Sequence, residues 1–184
     1  MVEMLICVYI FFFRLKFKFQ ASLVNNEKEL AEVIEKILPD SGAMATKFLG
    51  GREFTIAISD QIVHTPLERI FESNEKFSPP NGTKKEKAVS PSDPIFGKLK
   101  ELALDAYNSV SGNSFARVDI RMDSSNQNLF VLEVNPLCSI GPNSYFALSL
   151  EQNGYSRVSV FSSQIRTALS KNPLLLLPQS SHQI

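Results

Sequence analysis

The chain has 184 residues, with 19 lysines and arginines against 19 aspartates and glutamates, so its formal net charge is zero. This balance excludes recognition of nucleic acid by bulk charge, and a hydrophobic content of 43% excludes a wholly disordered chain. Two cysteines, Cys7 and Cys138, are too few for the disulfide framework of a small secreted protein, which favours a reducing compartment.

The N-terminal segment begins with the apolar run MLICVYIFFF, from Met4 to Phe13, and continues into alternating basic and apolar residues. A bilayer-spanning helix needs about 20 apolar residues, and this run is too short to supply them. It also lacks the preceding basic region and the small-residue cleavage site of a signal peptide. We therefore predict a buried strand here, with a membrane role as the less favoured alternative.

The next elements are a helix, a turn and a strand. Asn25-Asn26 precedes apolar residues at helical spacing, and Glu29 stands at the distance of a capping box. The helix is expected to end at 39–42, where the sequence reads PDSG. The glycine pair 50–51 then indicates a turn, and residues 54–58 have the composition of a strand.

A polar segment with four prolines occupies residues 71–94 and predicts a long loop. Ser92 or Asp93 is then expected to cap a helix, with Pro94 near its first turn. The predicted apolar stripe of this helix consists of Ile95, Leu99, Leu102, Ala103 and Ala106.

A β-hairpin follows, with strands 115–122 and 129–135 joined by a polar run. Strand side chains alternate between the two faces of a sheet. The apolar face of the first strand is expected to carry Ala116, Val118, Ile120 and Met122, and its polar face Arg117, Asp119 and Arg121. In the second strand Phe130, Leu132 and Val134 are assigned to the apolar face, with Glu133 and Asn135 opposite.

The polar face of this hairpin is the candidate site. A turn centred near Asn126 sets Asp119 opposite Glu133 and Arg117 opposite Asn135. Two facing carboxylates repel each other and call for a compensating cation. Magnesium binds through one or two carboxylates together with phosphate oxygens, and an arginine beside it can stabilise a transferring phosphoryl group. The alternative is the solvated polar face of an ordinary hairpin.

Two helices are expected after the hairpin. The first spans Ser144 to Gln152 and stops at Gly154, where a glycine commonly ends a helix. Ser156 is expected to cap the second. Its predicted apolar face consists of Val158, Phe161, Ile165 and Leu169.

The blocks FARVDIRMD…LFVLEVNP and KFLGGREFTIAI resemble the signature segments of ATP-grasp carboxylate–amine ligases, and among these the D-alanine–D-alanine ligases. The resemblance covers about Ser22 to Leu169. It implies an α/β (α+β) ATP-grasp fold, namely a C-terminal lobe with a mainly antiparallel sheet and packed helices, N-terminally incomplete. The implied division is an atypical segment 1–20, the end of the small lobe and hinge 21–53, the C-terminal lobe 54–170 and a tail 171–184.

The resemblance also assigns roles to individual residues. The implied metal ligands are Asp119, Glu133 and Asn135, and the implied catalytic residues are Arg117, on the transferred phosphate, and Ser144, on the carboxylate of the second amino acid. The implied nucleotide-binding residues are Lys47, Phe48 and Leu49 at adenine, Glu53 at the ribose hydroxyls and Lys76 at the γ-phosphate. Simpler readings remain open for some of them: a surface charge for Glu53, a loop lysine for Lys76 and a helix cap for Ser144.

The implied function is formation of an amide bond through an acyl phosphate, with ATP and Mg2+ (or Mn2+) as cofactors. Its partners would be a small carboxylate and an amine such as an amino acid, in the cytoplasm, and the resemblance allows a homodimer. No glycine precedes Gly42, so the glycine-rich phosphate loop of this superfamily has no counterpart. Cys138-Ser139 also replaces the family's Pro-Gly pair. These departures support the alternative of a non-catalytic nucleotide-binding or interaction module, incomplete as an enzyme.

Overall fold

The structure, a computed structural model, describes residues 4–9, 19–37, 42–71 and 85–171. The chain divides into two compact units. The first holds the described residues up to Gly50, and the second holds those from Gly51 onward. Among the residues described, no helix combines the length and the apolar character that a membrane crossing needs.

The first unit contains a three-stranded antiparallel sheet in which the first strand lies in the middle. Its elements are β1 (Met4–Tyr9), β2 (Phe19–Val24), α1 (Glu27–Ile37) and β3 (Gly42–Lys47). The predicted N-terminal strand is thus confirmed over β1, while residues 10–18 lie outside the described part of the chain.

Helix α1 begins at the predicted capping box. The Glu29 amide donates to Asn26 Oδ1 at 2.9 Å, and Glu29 Oε2 accepts from the Asn25 amide at 2.8 Å. Because the backbone and side chain of Asn25 donate to this carboxylate, they hold the pKa of Glu29 below its usual value. The local sequence therefore fixes where the helix starts.

The second unit is built on a six-stranded antiparallel sheet of order β7-β6-β4-β8-β9, with β5 also paired to β4. Its strands are β4 (Glu53–Ser59), β5 (Ile62–Val63), β6 (Leu67–Arg69), β7 (Glu86–Ala88), β8 (Phe115–Met122) and β9 (Leu129–Asn135). Its helices are α2 (Phe96–Ser109), α3 (Tyr145–Glu151) and α4 (Arg157–Lys171). The predicted antiparallel sheet with packed helices is confirmed.

Strand β7 lies inside the segment predicted as a loop. It pairs with β6, with Leu67 opposite Ala88 and Arg69 opposite Glu86. A polar tripeptide gives no period-2 signal, so the sequence alone could not reveal it. Residues 72–84 of the predicted loop, which include Lys76, lie outside the described residues.

The two faces of the sheet have different coverings. On one face, alternate residues of β4 and β8, including Phe54 and Ile120, pack against Leu99 and Ala103 of α2. The predicted apolar stripe of α2 is therefore confirmed, with Tyr107 added to it. On the other face, Ala57 packs with residues of α3 and α4. This second face continues beyond α3 into the polar residues of the candidate site.

The predicted apolar face of α4 is partly wrong. Val158 and Ile165 are 75% and 60% exposed, whereas Val160 is buried with the α3 residues. The orientation of the helix is set by tertiary contacts: the Phe161 ring lies 5.4 Å from that of Phe115, and Gln164 Oε1 accepts from Ser114 Oγ at 2.6 Å. The apolar spacing of α4 therefore does not identify its buried side.

Candidate functional site

The strand register at the candidate site is the one predicted. Asp119 lies opposite Glu133, and Arg117 lies opposite Asn135. A β-bulge separates this half of the hairpin from the half near the turn, where Ile120 pairs with Val131. Bulges redirect side chains and occur often beside functional sites. Here the bulge makes Glu133, rather than the preceding leucine, the residue that faces Asp119.

The same bulge makes one sequence assignment wrong. Phe130 and Leu132 do not share the core face with Val134, because they are 43% and 50% exposed. Leu129 and Val131 pack against the core instead. A symmetric hairpin without a bulge would have kept one alternation throughout, and the extra residue reverses it on the side near the turn.

Asp119 is buried and accepts four hydrogen bonds. Its Oδ1 accepts from Thr55 Oγ1 at 2.6 Å and from Arg117 Nε at 2.9 Å. Its Oδ2 accepts from Arg117 Nη2 at 2.9 Å and from Arg69 Nη2 at 3.2 Å. Burial opposes ionisation, but the guanidinium groups of Arg69 and Arg117 outweigh it and hold the pKa of Asp119 below its usual value.

Glu133 and Asn135 complete the polar edge on β9. Glu133 Oε1 accepts from Arg117 Nη2 at 3.0 Å, so Arg117 joins the two facing carboxylates. Partial burial and the negative charge of Asp119 raise the pKa of Glu133. Asn135 Oδ1 accepts from the Leu137 amide at 3.2 Å. Burial is the larger of the two causes, and the repulsion expected from the register adds to it.

Glu53 lies in the next row of the same face and is also enclosed by arginines. Its Oε1 accepts from Arg69 Nη1 at 2.6 Å, and its Oε2 accepts from Arg121 Nη1 at 2.8 Å. The strand pairing explains these contacts, because Glu53 is the register partner of both arginines. Arg69 therefore connects Glu53 to Asp119, and the open alternative of a surface charge is wrong for this buried glutamate.

The remaining predicted site residues fall in different places. Lys47 ends β3 in the first unit, and Phe48, which is buried, and Leu49 follow it. Lys76 lies outside the described residues. Their nucleotide-binding roles therefore stay predictions.

Ser144 is the N-cap of α3. Its Oγ accepts from the Ala147 amide at 3.1 Å, and the residue is buried. The capping role left open by the sequence is therefore present. This bond does not use the hydroxyl proton of Ser144, which stays available as a donor.

We expect Ser144→Ala to lower the free energy of unfolding by about 1 kcal/mol, because the Ala147 amide loses its acceptor. Urea denaturation followed by circular dichroism measures this change. Ser144→Asn, which restores a capping oxygen, is the matched control and is expected to retain most of the stability. Equal stability of the alanine variant and the original chain would contradict the capping role.

Three site residues were missed or left unassigned by sequence reasoning: Thr55, Arg69 and Arg121. Arg121 shares the strand parity of Asp119, and Thr55 shares that of Glu53, so both signals were present. Arg69 gave no signal, because only long-range pairing of the three-residue strand β6 with β4 brings it to Glu53.

A hard divalent cation fits the chemistry of this edge. Among the residues described, no group of three or more histidines, cysteines, aspartates or glutamates gathers at one point. The predicted set is instead two carboxylates and one amide, all oxygen donors, which suits Mg2+ or Mn2+. Such an ion would offset the repulsion between the facing carboxylates of Asp119 and Glu133.

Comparison with known proteins gives a family by sequence and a fold by structure. The family model described as D-ala D-ala ligase C-terminus matches residues 19–165. The D-alanine–D-alanine ligase of Pseudoalteromonas atlantica is 28% identical over 146 residues, covering 72% of this chain and 43% of the relative. The D-alanine–D-alanine ligase of Synechococcus is 27% identical over 168 residues, covering 87% of this chain and 51% of the relative. The chain thus spans about half the length of the curated relatives it matches.

Solved structures show the same fold. A D-alanine–D-alanine ligase from Bacillus anthracis, complexed with ATP, matches with a TM-score of 0.72 and 20% identity, over 91% of this chain and 53% of that one. The VanG D-Ala:D-Ser ligase from Enterococcus faecalis matches with a TM-score of 0.68 and 19% identity, over 89% of this chain and 48% of that one. The predicted ATP-grasp fold is therefore confirmed. Because the family model matches most of its length, this chain belongs to the family of D-alanine–D-alanine ligase C-terminal domains.

Proposed function

We propose that this chain supplies the metal- and phosphate-binding part of an ATP-dependent ligase that joins a carboxylate to an amine through an acyl phosphate. The observation that carries the proposal is the pair Asp119 and Glu133, set opposite each other beside a bulge and bridged by Arg117. The hairpin on which they lie falls inside the segment matched by the family model.

In this proposal Asp119, Glu133 and Asn135 hold Mg2+ or Mn2+. The ion, when bound, screens the negative charge of the phosphates of ATP. Asp119 is well suited to this position because its lowered pKa keeps it ionised at neutral pH. Glu133 is more exposed than Asp119 and can turn toward an ion without leaving the strand.

Arg117 is the residue proposed to contact the transferred phosphoryl group. Burial opposes its charge, but the neighbouring Asp119 outweighs this effect and raises the pKa of Arg117 above its already high value. Its guanidinium is therefore a permanent positive charge fixed between two carboxylates. A charge held in advance stabilises a developing phosphoryl charge without reorganising at the moment of reaction.

The other roles follow the resemblance. Glu53 is proposed to bind the ribose hydroxyls, Lys47, Phe48 and Leu49 the adenine, and Lys76 the γ-phosphate. Ser144 is proposed to donate its hydroxyl to the carboxylate of the second amino acid while it accepts from the Ala147 amide. The substrates would be a small carboxylate and an amine, with amino acids as the first candidates because the relatives are D-alanine–D-alanine ligases. A cytoplasmic location and a homodimer complete the proposal.

A chimera tests this function directly. Residues 19–165 would replace the matched part of the Pseudoalteromonas atlantica ligase, and D-alanine-dependent phosphate release from ATP would be measured. We expect release in the chimera and a loss of at least a hundredfold in its Glu133→Gln variant, because a charged site ligand is removed. Arg52→Met is the matched control, since Arg52 pairs with Glu68 and Asp93 and not with the site.

Two outcomes would contradict the proposal. The first is a folded chimera that binds ATP with Mg2+ in calorimetry but releases no phosphate with any amino acid. The second is unchanged release after Glu133→Gln.

The second candidate function is a non-catalytic nucleotide-binding or interaction module. The hydrogen bonding of Asp119 favours it, because both of its carboxylate oxygens already accept from protein donors. A chimera that binds ATP without turnover would select this alternative.

A further inference from the structure

The hydrogen bonding of Asp119 leaves little room for a metal ion. A carboxylate offers about four lone-pair sites, and Asp119 accepts four hydrogen bonds. A cation that binds this residue must therefore replace one of the four donors. The longest of the four contacts, at 3.2 Å, comes from Arg69 Nη2.

Arg69 is held in place by more than Asp119. Its Nη1 donates to Glu53 Oε1 at 2.6 Å, and its Cζ lies 4.5 Å from the centre of the Tyr145 ring. Its Nε is buried and has no hydrogen-bond partner among the residues that the structure describes. Arg69 can therefore release Asp119 and remain in the site, held by Glu53 and by the aromatic ring.

We propose that Arg69 is a resident counter-ion of Asp119, which a divalent cation must displace from Asp119 Oδ2 in order to bind. The inference rests on the proposed function, because it takes Asp119 as a metal ligand. Arg69 stabilises Asp119 when no cation is bound, and its positive charge repels an incoming ion at the same oxygen. The cation alone is then bound weakly, and the anionic phosphates of a nucleotide offset the repulsion.

Arg69 is thus a positioning residue that acts through Asp119 and Glu53. A purely structural role would make its removal harmful to metal binding, because the carboxylates would lose their support. If Arg69 instead competes with the cation, its removal should strengthen metal binding. The affinity of the site for a bare cation should rise when the guanidinium is removed.

The test is a titration of the full 184-residue chain with Mn2+ alone, in which electron paramagnetic resonance counts the free ion. We expect Arg69→Met to bind Mn2+ about tenfold more tightly than the original chain, because one positive charge near the ion is lost. Arg69→Lys, which keeps the charge, is expected to stay within about twofold of the original chain.

Arg52→Met is the matched control for the loss of two ion pairs. Arg52 donates to Glu68 at 2.8 Å and to Asp93 at 2.9 Å, and it lies over the ring of Phe54, which belongs to the core on the opposite face. Its Mn2+ affinity is expected to be unchanged. Arg69→Gln, which can still donate to Glu53, provides a second charge-free variant if Arg69→Met does not fold.

The outcomes separate this inference from the function on which it rests. Equal or weaker Mn2+ binding by the charge-free variants would overturn the inference and leave the metal site standing. Absence of Mn2+ binding in every variant and in the original chain would overturn both. Tighter binding in Arg69→Met and Arg69→Gln, but not in Arg69→Lys or Arg52→Met, would support it.

Discussion

Replacement of Arg117 by methionine is expected to lower the free energy of unfolding of the second unit by about 3 kcal/mol. Arg117 supplies two of the four hydrogen bonds of Asp119 and one to Glu133. Methionine fills much of the same volume but leaves the buried carboxylate short of charge compensation, since only Arg69 then balances it. Urea denaturation monitored by circular dichroism measures the change.

A double-mutant cycle separates the ion pair from the lost packing of the arginine stem. Asp119→Asn removes the charge that Arg117 balances, so the double variant is expected to be more stable than the sum of the two single changes implies. The expected coupling is about 1–3 kcal/mol for groups in direct contact. Additive effects of the two substitutions would show that Arg117 and Asp119 do not compensate each other in the folded chain.

The candidate site was predictable from the sequence where strand parity decides it. The two strands of the hairpin were bounded correctly, and Asp119 and Glu133 were placed opposite each other. The bulge was not predictable, because one extra residue leaves no mark on composition or on the length of the polar turn. Its consequence was the wrong face for Phe130 and Leu132.

The arginine network shows a different limit. Arg69 reaches Glu53 and Asp119 only through pairing of distant strands, and no local pattern encodes that pairing. By contrast, the starts of α1 and α3 were predictable, because Asn26 and Ser144 cap their helices through contacts within four residues. Local chemistry therefore indicated where these two helices start, but not the start of α2, whose N-cap is Ile95 and not Ser92 or Asp93. Tertiary contacts decided which charges meet.

His64 is a further case in which the fold decides the chemistry. The structure buries its side chain, with Nε2 at 2.7 Å from Ser59 Oγ and its ring edge-on to Tyr155. Nδ1 is buried and has no hydrogen-bond partner in the described part of the chain. Burial, assisted by the positive charge of Lys100, lowers the pKa of His64 from 6.5 to about 4.

This shift predicts a loss of stability in acid. Above pH 6.5 the imidazole is neutral in both the folded and the unfolded chain, so the full stability is present. As the pH falls from 6.5 toward about 4, the unfolded chain takes up a proton that the folded chain excludes. The resulting loss is about 3 kcal/mol, and it ends below the folded pKa because both states are then protonated.

The variant His64→Gln isolates this contribution from the carboxylates that titrate in the same range. Glutamine can keep a hydrogen bond to Ser59 but does not titrate, so its free energy of unfolding should fall less steeply between pH 6.5 and 4. The variant is expected to be less stable than the original chain at pH 7, where an imidazole that fits its cavity is lost, and to approach or exceed it near pH 4. Urea denaturation across this pH range measures both curves. Parallel curves would mean that His64 takes up its proton equally in the folded and unfolded chains, and burial would then not govern its chemistry.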